Sequence, residues 1–281
     1  MIEYLKDGRK SIWEIYSQLD KLTNYTKEIL YEQKIKSQIF PILAYKSKIQ
    51  GKAVWLLAGI HGEEPAGVNA IAENINFLNN LGNKFPLVIL PICNQKGYFL
   101  GWRYPNAKKW QKGKPARSVG SSEHFLLKGN QARIKKPLCK EAKKITNFVI
   151  NNNYPPLFSL DLHEDSDITK GYVYSQGKFG LNDKIAKEAI KILKKQQGVI
   201  LNGKTDNNEK IQEGIISDAQ DGSIDELFAS EKIFVNNKIK QKIPAISAIV
   251  IETGSKIPLK KRIKSQSAII KAIPKFRELI K

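Results

Sequence analysis

The sequence predicts an α/β protein whose mixed, mainly parallel central sheet is flanked by helices. The first observation is a set of continuous apolar runs of strand length at residues 53–58, 86–93 and 245–251. Such runs are typical of strands that are covered on both faces of a sheet. The second observation is that amphipathic segments, of which residues 181–196 are the clearest, alternate with these strands along the chain. That alternation is typical of α/β architecture.

Other segments follow the same two patterns. Apolar residues at helical spacing predict further helices over residues 11–21, 65–79, 138–151 and 263–281. Apolar residues at strand spacing predict a two-stranded meander within residues 26–49 and a strand over 156–163. Residues 94–137 and 202–242 are irregular or poorly periodic. An irregular segment as long as the first of these, inside a compact domain, is usually functional or disordered.

The net charge of +20 is unusual and has two interpretations. A strongly basic chain can bind nucleic acid or another anionic polymer. Alternatively, the lysines are spread over the whole surface and recognise no particular partner. Lysines occur throughout the sequence, and no basic stripe interleaved with aromatic residues is present. We favour the second interpretation and expect no nucleic-acid partner.

The composition also indicates a cytoplasmic protein. The two cysteines, Cys93 and Cys139, would add little stability to a chain of 281 residues, which favours a reducing compartment. Residues 1–10 contain no apolar core, so we expect no signal peptide. No apolar run approaches the roughly 20 residues of a membrane span, so we expect no membrane partner. The sequence does not indicate an oligomeric state.

Polar residues follow three of the predicted strands at the point where each strand ends. His61 and Glu64 come after the strand at 53–58, His163 ends the strand at 156–163, and Glu252 ends the last strand. The carboxyl ends of parallel strands open into one crevice at the edge of a sheet. We therefore expect these four side chains to lie close together.

Two histidines and one glutamate form a ligand set suited to catalytic zinc, with one position left for water. We predict that His61, Glu64 and His163 bind the ion, which would lower the pKa of the water to roughly 7 and polarise a carbonyl group. Such a site needs a base beside the water, and Glu252 is the candidate. Glu63 has no role in this prediction.

Each of these residues also has a simpler interpretation. A histidine and a glutamate three residues apart occur in ordinary turns, and His163 on its own resembles a core histidine with one hydrogen bond. The acidic neighbours Asp161, Glu164 and Asp165 argue against a core role, because buried carboxylates without compensation are strongly destabilising. A cation would remove that penalty. Asp161 or Glu164 would then orient a ligand histidine.

In this order and strand context, the residues resemble the zinc carboxypeptidase family. That family includes the carboxypeptidase A type and a branch of succinylglutamate desuccinylases and aspartoacylases. The resemblance covers roughly residues 50–260 and rests on His61-x-x-Glu64, on His163 in Asp-Leu-His, and on Glu252 in Ile-Glu-Thr-Gly. It implies one zinc ion on the three ligands, Glu252 as general base and then acid, and a peptide or N-acylated amino acid as substrate.

Two further segments share this resemblance. Trp102-Arg103, a few residues after Asn94, resembles a Trp-Arg pair whose arginine stabilises the oxyanion. It implies that role for Arg103 and places Asn94 in the substrate site. Gly222-Ser223-Ile224-Asp225 resembles a segment that lines the specificity pocket, which implies that Ile224 faces the substrate side chain.

The sequence departs from the family at the residues that hold the substrate carboxylate. An Asn-Arg pair is expected there, but none occurs between Arg103 and His163. Glu123-His124 stands in the corresponding stretch, and Arg117 precedes it. Three interpretations remain open. Arg117 replaces the clamp, Glu123 selects a cationic or amine-bearing group, or Glu123 and His124 bind a second metal ion.

Two hypotheses about function follow. The first is a zinc-dependent hydrolase of an amide bond, either carboxypeptidase-like or deacylase-like, in a single domain over residues 1–281. Its N-terminal helix and β-meander would occupy residues 1–50, and its catalytic core residues 51–281. The alternative is a non-catalytic, metal-binding relative that binds an anionic polymer through its basic surface. Glu252 favours the first hypothesis, because a pure binding site needs no base.

Overall fold

The structure is a computed structural model that describes residues 7–35, 37–109, 118–121, 125–128, 131–133, 139–217, 219, 222–235 and 238–280. The helices in this part of the chain are α1 (Ile12–Leu19), α2 (Pro65–Glu73), α3 (Ile75–Gly82), α4 (Gln95–Leu100), α5 (Lys140–Ile150), α6 (Lys184–Gln196), α7 (Ile224–Ala229), α8 (Leu259–Lys271) and α9 (Ile273–Leu279). The strands are β1 (Tyr25–Ile35), β2 (Gln38–Ser47), β3 (Ala53–Ala58), β4 (Leu87–Leu90), β5 (Phe125–Lys128), β6 (Gln131–Arg133), β7 (Pro156–Asp165), β8 (Tyr172–Ser175), β9 (Asn202–Lys204), β10 (Lys210–Gln212), β11 (Ile215–Ser217), β12 (Lys232–Val235), β13 (Lys238–Gln241) and β14 (Ser247–Gly254).

A mixed sheet of ten strands forms the centre, in the order β1-β2-β4-β3-β7-β14-β8-β11-β10-β9. Its middle strands β4, β3, β7 and β14 are parallel, whereas β2 and β8 pair antiparallel to this group on either side. A smaller antiparallel sheet has the order β13-β12-β5-β6. The predicted fold class, a mixed and mainly parallel sheet between helices, is confirmed.

The sheet separates two hydrophobic cores because alternate residues of each strand face opposite sides. On β3, Val54 and Leu56 face helices α1–α4, α6, α8 and α9, whereas Trp55 and Leu57 face α5 and α7. Trp55 is fully buried and packs against the rings of Phe148 and Phe228, with centroids 5.6 and 5.2 Å away. Burial on both faces explains why the central strands are continuous apolar runs in the sequence.

Two predicted helices are each divided in the structure. The helix predicted over 65–79 is α2 followed by α3, with a break at Asn74, whose side chain donates to the carbonyl of Ala70. The helix predicted over 263–281 starts earlier and consists of α8 and α9. Pro274 lies in the first turn of α9, where its missing N–H leaves no hydrogen bond unmade.

The irregular segments hold short elements that the sequence did not reveal. Helix α4 lies within 94–137, and β9–β13 and α7 lie within 202–242. These helices have six residues each, too few to display a helical period. The side chain of Asn94 caps α4 by accepting from the backbone N–H of Gly97 at 2.9 Å.

Among the described residues, no helix combines the length and the apolar character needed to cross a membrane. Cys93 and Cys139 both have free thiols.

Candidate metal centre and active site

The predicted residues meet at the carboxyl ends of three neighbouring strands. His163 on β7 and Glu252 on β14 are direct partners in the parallel register. His61 follows β3, which is the other neighbour of β7, and Glu64 occupies the residue before the first turn of α2. The sheet therefore brings together four side chains that are up to 191 positions apart in sequence.

The two histidines face the same carboxylate. His61 Nδ1 lies 2.7 Å from Glu64 Oε1, and His163 Nδ1 lies 3.0 Å from Glu64 Oε2. The two imidazole rings are nearly perpendicular, with centroids 5.0 Å apart. One ligand atom from each of the three residues lies within 4.8 Å of the other two, which is the spacing of donors around a single ion.

The protonation of the three residues follows from their burial and their mutual contacts. Burial lowers the pKa of His61 to about 4, so its imidazole is neutral at pH 7, as a metal ligand must be. Burial alone would lower the pKa of His163 too, but Asp161 and Glu64 outweigh it and raise this pKa well above its usual range. Burial opposes ionisation of Glu64, yet the two histidines hold its pKa well below the usual range. A proton on His163 Nδ1 and a metal ion would compete for the same atom.

These observations fit a zinc ion. Two imidazoles and one carboxylate match the ligand chemistry of catalytic zinc sites. Glu64 and His163 are buried, and Glu64 is only 4% exposed. A cation held by His61, Glu64 and His163 would compensate the buried negative charge that the sequence leaves at this edge.

The ligands are themselves held by further contacts. His163 Nε2 lies 3.1 Å from Oδ2 of the fully buried Asp161, which fixes the orientation of the ring with Nδ1 towards Glu64. The backbone N–H of Glu164 donates to Glu64 Oε2 at 3.1 Å. Among the described residues, the side chain of Glu164 forms no hydrogen bond or ion pair with a histidine. It accepts from the N–H of Ala66 at 3.1 Å and from Arg262 Nη1 at 2.8 Å. Of the two predicted orienting residues, Asp161 is therefore the one that contacts a histidine.

Glu252 lines a cavity of about 300 Å³ next to the ligands. Its Oε2 is buried, and no described residue donates a hydrogen bond to it. Burial raises the pKa of Glu252 to about 8. A cation on the neighbouring ligands would lower this pKa, since a nearby positive charge favours the carboxylate.

Arg103 reaches the same cavity from the loop after α4. Its Nη1 donates to Glu63 Oε1 at 2.8 Å and to Glu64 Oε1 at 2.9 Å. Glu63 therefore has a role that the sequence prediction denied it, because it anchors the arginine. Asn94 is fully buried, and its Nδ2 donates to the carbonyl of Arg103 at 3.0 Å. This position suits Asn94 to hold the backbone of Arg103 and leaves it no exposed atoms with which to contact a substrate.

A close backbone approach fixes the loop that carries His61. A Cβ atom on Gly62 would lie 1.9 Å from the carbonyl carbon of Gly97 on α4, so only glycine fits at position 62. Arg9 closes the same contact by donating to the carbonyl of Gly62 at 2.8 Å and to that of Tyr98 at 2.9 Å. The sequence analysis missed Arg9, since an isolated arginine near the start of a chain carries no motif.

The rest of the cavity is formed by β8, α7, β14 and the loop between β9 and β10. Ile224, at the start of α7, lines it as predicted from the Gly-Ser-Ile-Asp segment, beside Val250 of β14. Tyr174, Gln176 and Glu209 line it as well and were missed by the sequence analysis. The predicted substrate residues Arg117, Glu123 and His124 lie outside the described residues, so their roles stay predictions.

The fold and the site together define a class: an α/β protein with a His-Glu-His metal site at the carboxyl edge of its sheet. Comparison with solved structures makes this more specific. A protein from Shewanella amazonensis SB2B, described as a candidate metallopeptidase, superposes with a TM-score of 0.73 at 20% identity, over 96% of this chain and 93% of the other. Carboxypeptidase A from Helicoverpa armigera has a TM-score of 0.65 at 13% identity, over 98% of this chain and 74% of the other.

A metallo-carboxypeptidase from Burkholderia cenocepacia has a TM-score of 0.62 at 11% identity, over 97% of this chain and 70% of the other. The protein has the zinc carboxypeptidase fold. At the level of sequence, no family model and no curated protein matches it.

Proposed function

We propose that the protein is a zinc-dependent hydrolase that cleaves an amide bond, either as a carboxypeptidase-like enzyme or as an N-acyl amino acid deacylase. The observation that carries the proposal is the register pair of His163 and Glu252. It supports a general base beside the metal ligands, in a cavity of about 300 Å³ that is open to a substrate.

His61, Glu64 and His163 would hold the zinc ion. When bound, zinc polarises a carbonyl group and lowers the pKa of water to about 7. The chain keeps His61 neutral by burial and orients His163 through Asp161, and both Nδ1 atoms face the carboxylate of Glu64.

Glu252 would move the proton. Hydrolysis adds the oxygen of water to the carbonyl carbon and breaks the bond from that carbon to nitrogen. The Glu252 carboxylate accepts one proton from the attacking water and passes it to the departing amine, so it ends the reaction ionised again. Its buried Oε2, which no described residue uses, supports this role.

Arg103 would stabilise the charge that develops on the carbonyl oxygen. Its guanidinium lines the cavity and is fixed by Glu63 and Glu64, so it would need little reorganisation during the reaction. The contact with Glu64 also connects the position of the arginine to that of a metal ligand.

Replacement of Glu252 by glutamine tests this proposal. We expect Glu252→Gln to keep about one zinc ion per chain and to lose at least 100-fold in hydrolysis of N-acyl amino acids and dipeptides, since general base catalysis contributes about 10²- to 10⁴-fold. Glu213→Gln, on an exposed turn outside the cavity, is the matched control. Turnover by Glu252→Gln at the rate of the unaltered protein would refute the mechanism.

The alternative function, binding of an anionic polymer without catalysis, has support from the net charge of +20. A titration of nucleic-acid affinity against salt separates the two hypotheses. Affinity that falls steeply with salt, together with no hydrolysis of any amide, favours the alternative.

A further inference from the structure

The cavity contains more acidic side chains than lysines and arginines, unlike the chain as a whole. Although lysines and arginines outnumber acids by 47 to 27 in the sequence, the described residues that line the cavity include four acids, two histidines and one permanently charged base. The base is Arg103, and the acids are Asp161, Glu209, Asp225 and Glu252. Acidic side chains in a cavity favour ligands with a cationic group.

Of the two acids that the proposed mechanism does not use, Asp225 is buried on α7 and Glu209 lies on the loop between β9 and β10. Its Oε2 accepts from the hydroxyl of Tyr174 at 2.8 Å and from that of Thr205 at 3.0 Å. Both donors are neutral and both reach the same oxygen. Within the described part of the chain, no lysine, arginine or histidine lies within 4.0 Å of this carboxylate to form an ion pair.

The loop between β9 and β10 holds this carboxylate in place. Thr205 donates its backbone N–H to the carbonyl of Glu209 at 3.0 Å, and its hydroxyl accepts the N–H of Glu209 at 3.2 Å. Asn208 has a left-handed backbone with φ of 63°, and its side-chain Oδ1 accepts a hydrogen bond from the ammonium of Lys204 at 2.8 Å. The nearby lysine is thereby engaged by Asn208, and Glu209 is positioned without a cation of its own.

A purely structural role for Glu209 would be to tie the loop to β8 through Tyr174. An uncharged glutamine would serve that role as well, since the two contacts require only an acceptor oxygen. A carboxylate adds a negative charge, which two neutral hydroxyls do not balance. Because this half-buried carboxylate lines the cavity, its charge favours a positively charged ligand there.

The apolar part of the cavity complements this charge. Ile224 and Val250 are 1% and 6% exposed and form its aliphatic wall. Tyr174 on β8 is the register partner of Val250 on β14. The tyrosine that donates to Glu209 therefore lies next to this aliphatic wall. A side chain with an aliphatic stem and a cationic end would pack its stem against this wall and bring its charge to Glu209.

We infer that Glu209 is a specificity-determining residue that selects substrates carrying an alkylammonium or guanidinium group, as in an amide of lysine. That the selected molecules are substrates rests on the proposed amide hydrolase function, but recognition of the cation does not require catalysis.

Lysine and norleucine are the probes, because they differ only in the terminal ammonium group. Calorimetry on the zinc-loaded, unaltered protein is expected to show tighter binding of lysine by about tenfold or more, the usual range for a hydrogen bond to a charged group. Glu209→Gln keeps the acceptor for Tyr174 and Thr205 and is expected to abolish the preference. Glu213→Gln, the exposed control, is expected to retain it. Melting temperatures of both variants check that they are folded.

Equal binding of lysine and norleucine to the unaltered protein would overturn the inference, as would a preference that survives in Glu209→Gln. Hydrolysis distinguishes this result from failure of the proposed function. If the zinc-loaded protein cleaves neither N-acyl-lysine nor N-acyl-norleucine but prefers lysine in binding, the amide hydrolase proposal fails and cation recognition stands. If it cleaves both equally and shows no preference in binding, the hydrolase proposal stands and the role of Glu209 fails.

Discussion

The ion pair between Glu164 and Arg262 supports the metal centre from the far side of β7, and its removal has a calculable effect. Glu164 is 2% exposed, and Arg262 from α8 donates to both of its oxygens. Burial raises the pKa of Glu164 to about 7 even with the arginine present. Arg262→Met would remove the compensating charge and leave a side chain of similar length in its place.

The expected loss of stability depends on pH, and its sign follows from proton binding. The folded variant holds the Glu164 proton to a higher pH than the unaltered protein, whereas both unfolded chains release it near the usual pKa. In the unaltered protein, the loss of stability caused by Glu164 ends near pH 7, because the folded protein releases the proton there. In the variant, stability continues to fall as pH rises above about 7. At pH 8.5, about 1.5 pH units above that limit, the uncompensated carboxylate lowers the free energy of unfolding of the variant by about 2 kcal/mol. The lost hydrogen bonds lower it by about 1 kcal/mol more. At pH 6 only the latter, about 1 kcal/mol, remains.

Urea unfolding of the metal-free protein, followed by circular dichroism at pH 6 and pH 8.5, measures both values. Lys264→Met, an exposed residue of the same helix, controls for removal of a positive charge and is expected to change stability by less than about 0.5 kcal/mol. The double variant Arg262→Met with Glu164→Gln is expected to lose the dependence on pH. An equal loss at both pH values would refute the argument that an uncompensated carboxylate causes it.

Three other perturbations test the site. Gly62→Ala is expected to lower zinc affinity at least tenfold, as measured by competition with a chelator, because it forces the His61 loop away from α4. Gly203→Ala is the control and is expected to leave the affinity unchanged, since the nearest atom to its Cβ would be 3.6 Å away. Removal of zinc by a chelator is expected to lower the melting temperature of the unaltered protein and to leave that of His61→Ala unchanged, because a bound ligand stabilises only the state that binds it. Asn94→Ala is expected to reduce kcat at least tenfold with zinc content intact, because it frees the backbone of Arg103; an unaltered kcat would contradict this positioning role.

The sequence was sufficient for the parts of the site that depend on strand order. His61, His163 and Glu252 end apolar runs, and the rule that parallel strands share an edge was enough to predict their meeting. The helix break at Asn74 was not predictable in the same way. The apolar period continues through it, and the break depends on contacts of the Asn74 side chain with α2 and with Ser267 on α8.

The contacts that hold the site were beyond the sequence for a different reason. Arg9, Arg262 and Glu209 are single charged residues among 74 in the chain, and nothing local separates them from surface charges. Their contacts with Gly62, Glu164 and Tyr174 span 53, 98 and 35 positions, so these contacts form only through the fold. Prediction from pattern therefore reached the candidate metal ligands and Asp161, which orients one of them, but not these isolated charged residues.

The place of β14 in the sheet has a consequence for biosynthesis. This strand is the last of the sheet along the chain, yet it inserts between β7 and β8, which are made much earlier. It brings Glu252, and α8 brings Arg262 shortly afterwards. In a growing chain, the three proposed zinc ligands are therefore made before Glu252 and before the strand that fills the middle of the sheet. The proposed site is complete only after β14 has been made and has paired with β7 and β8.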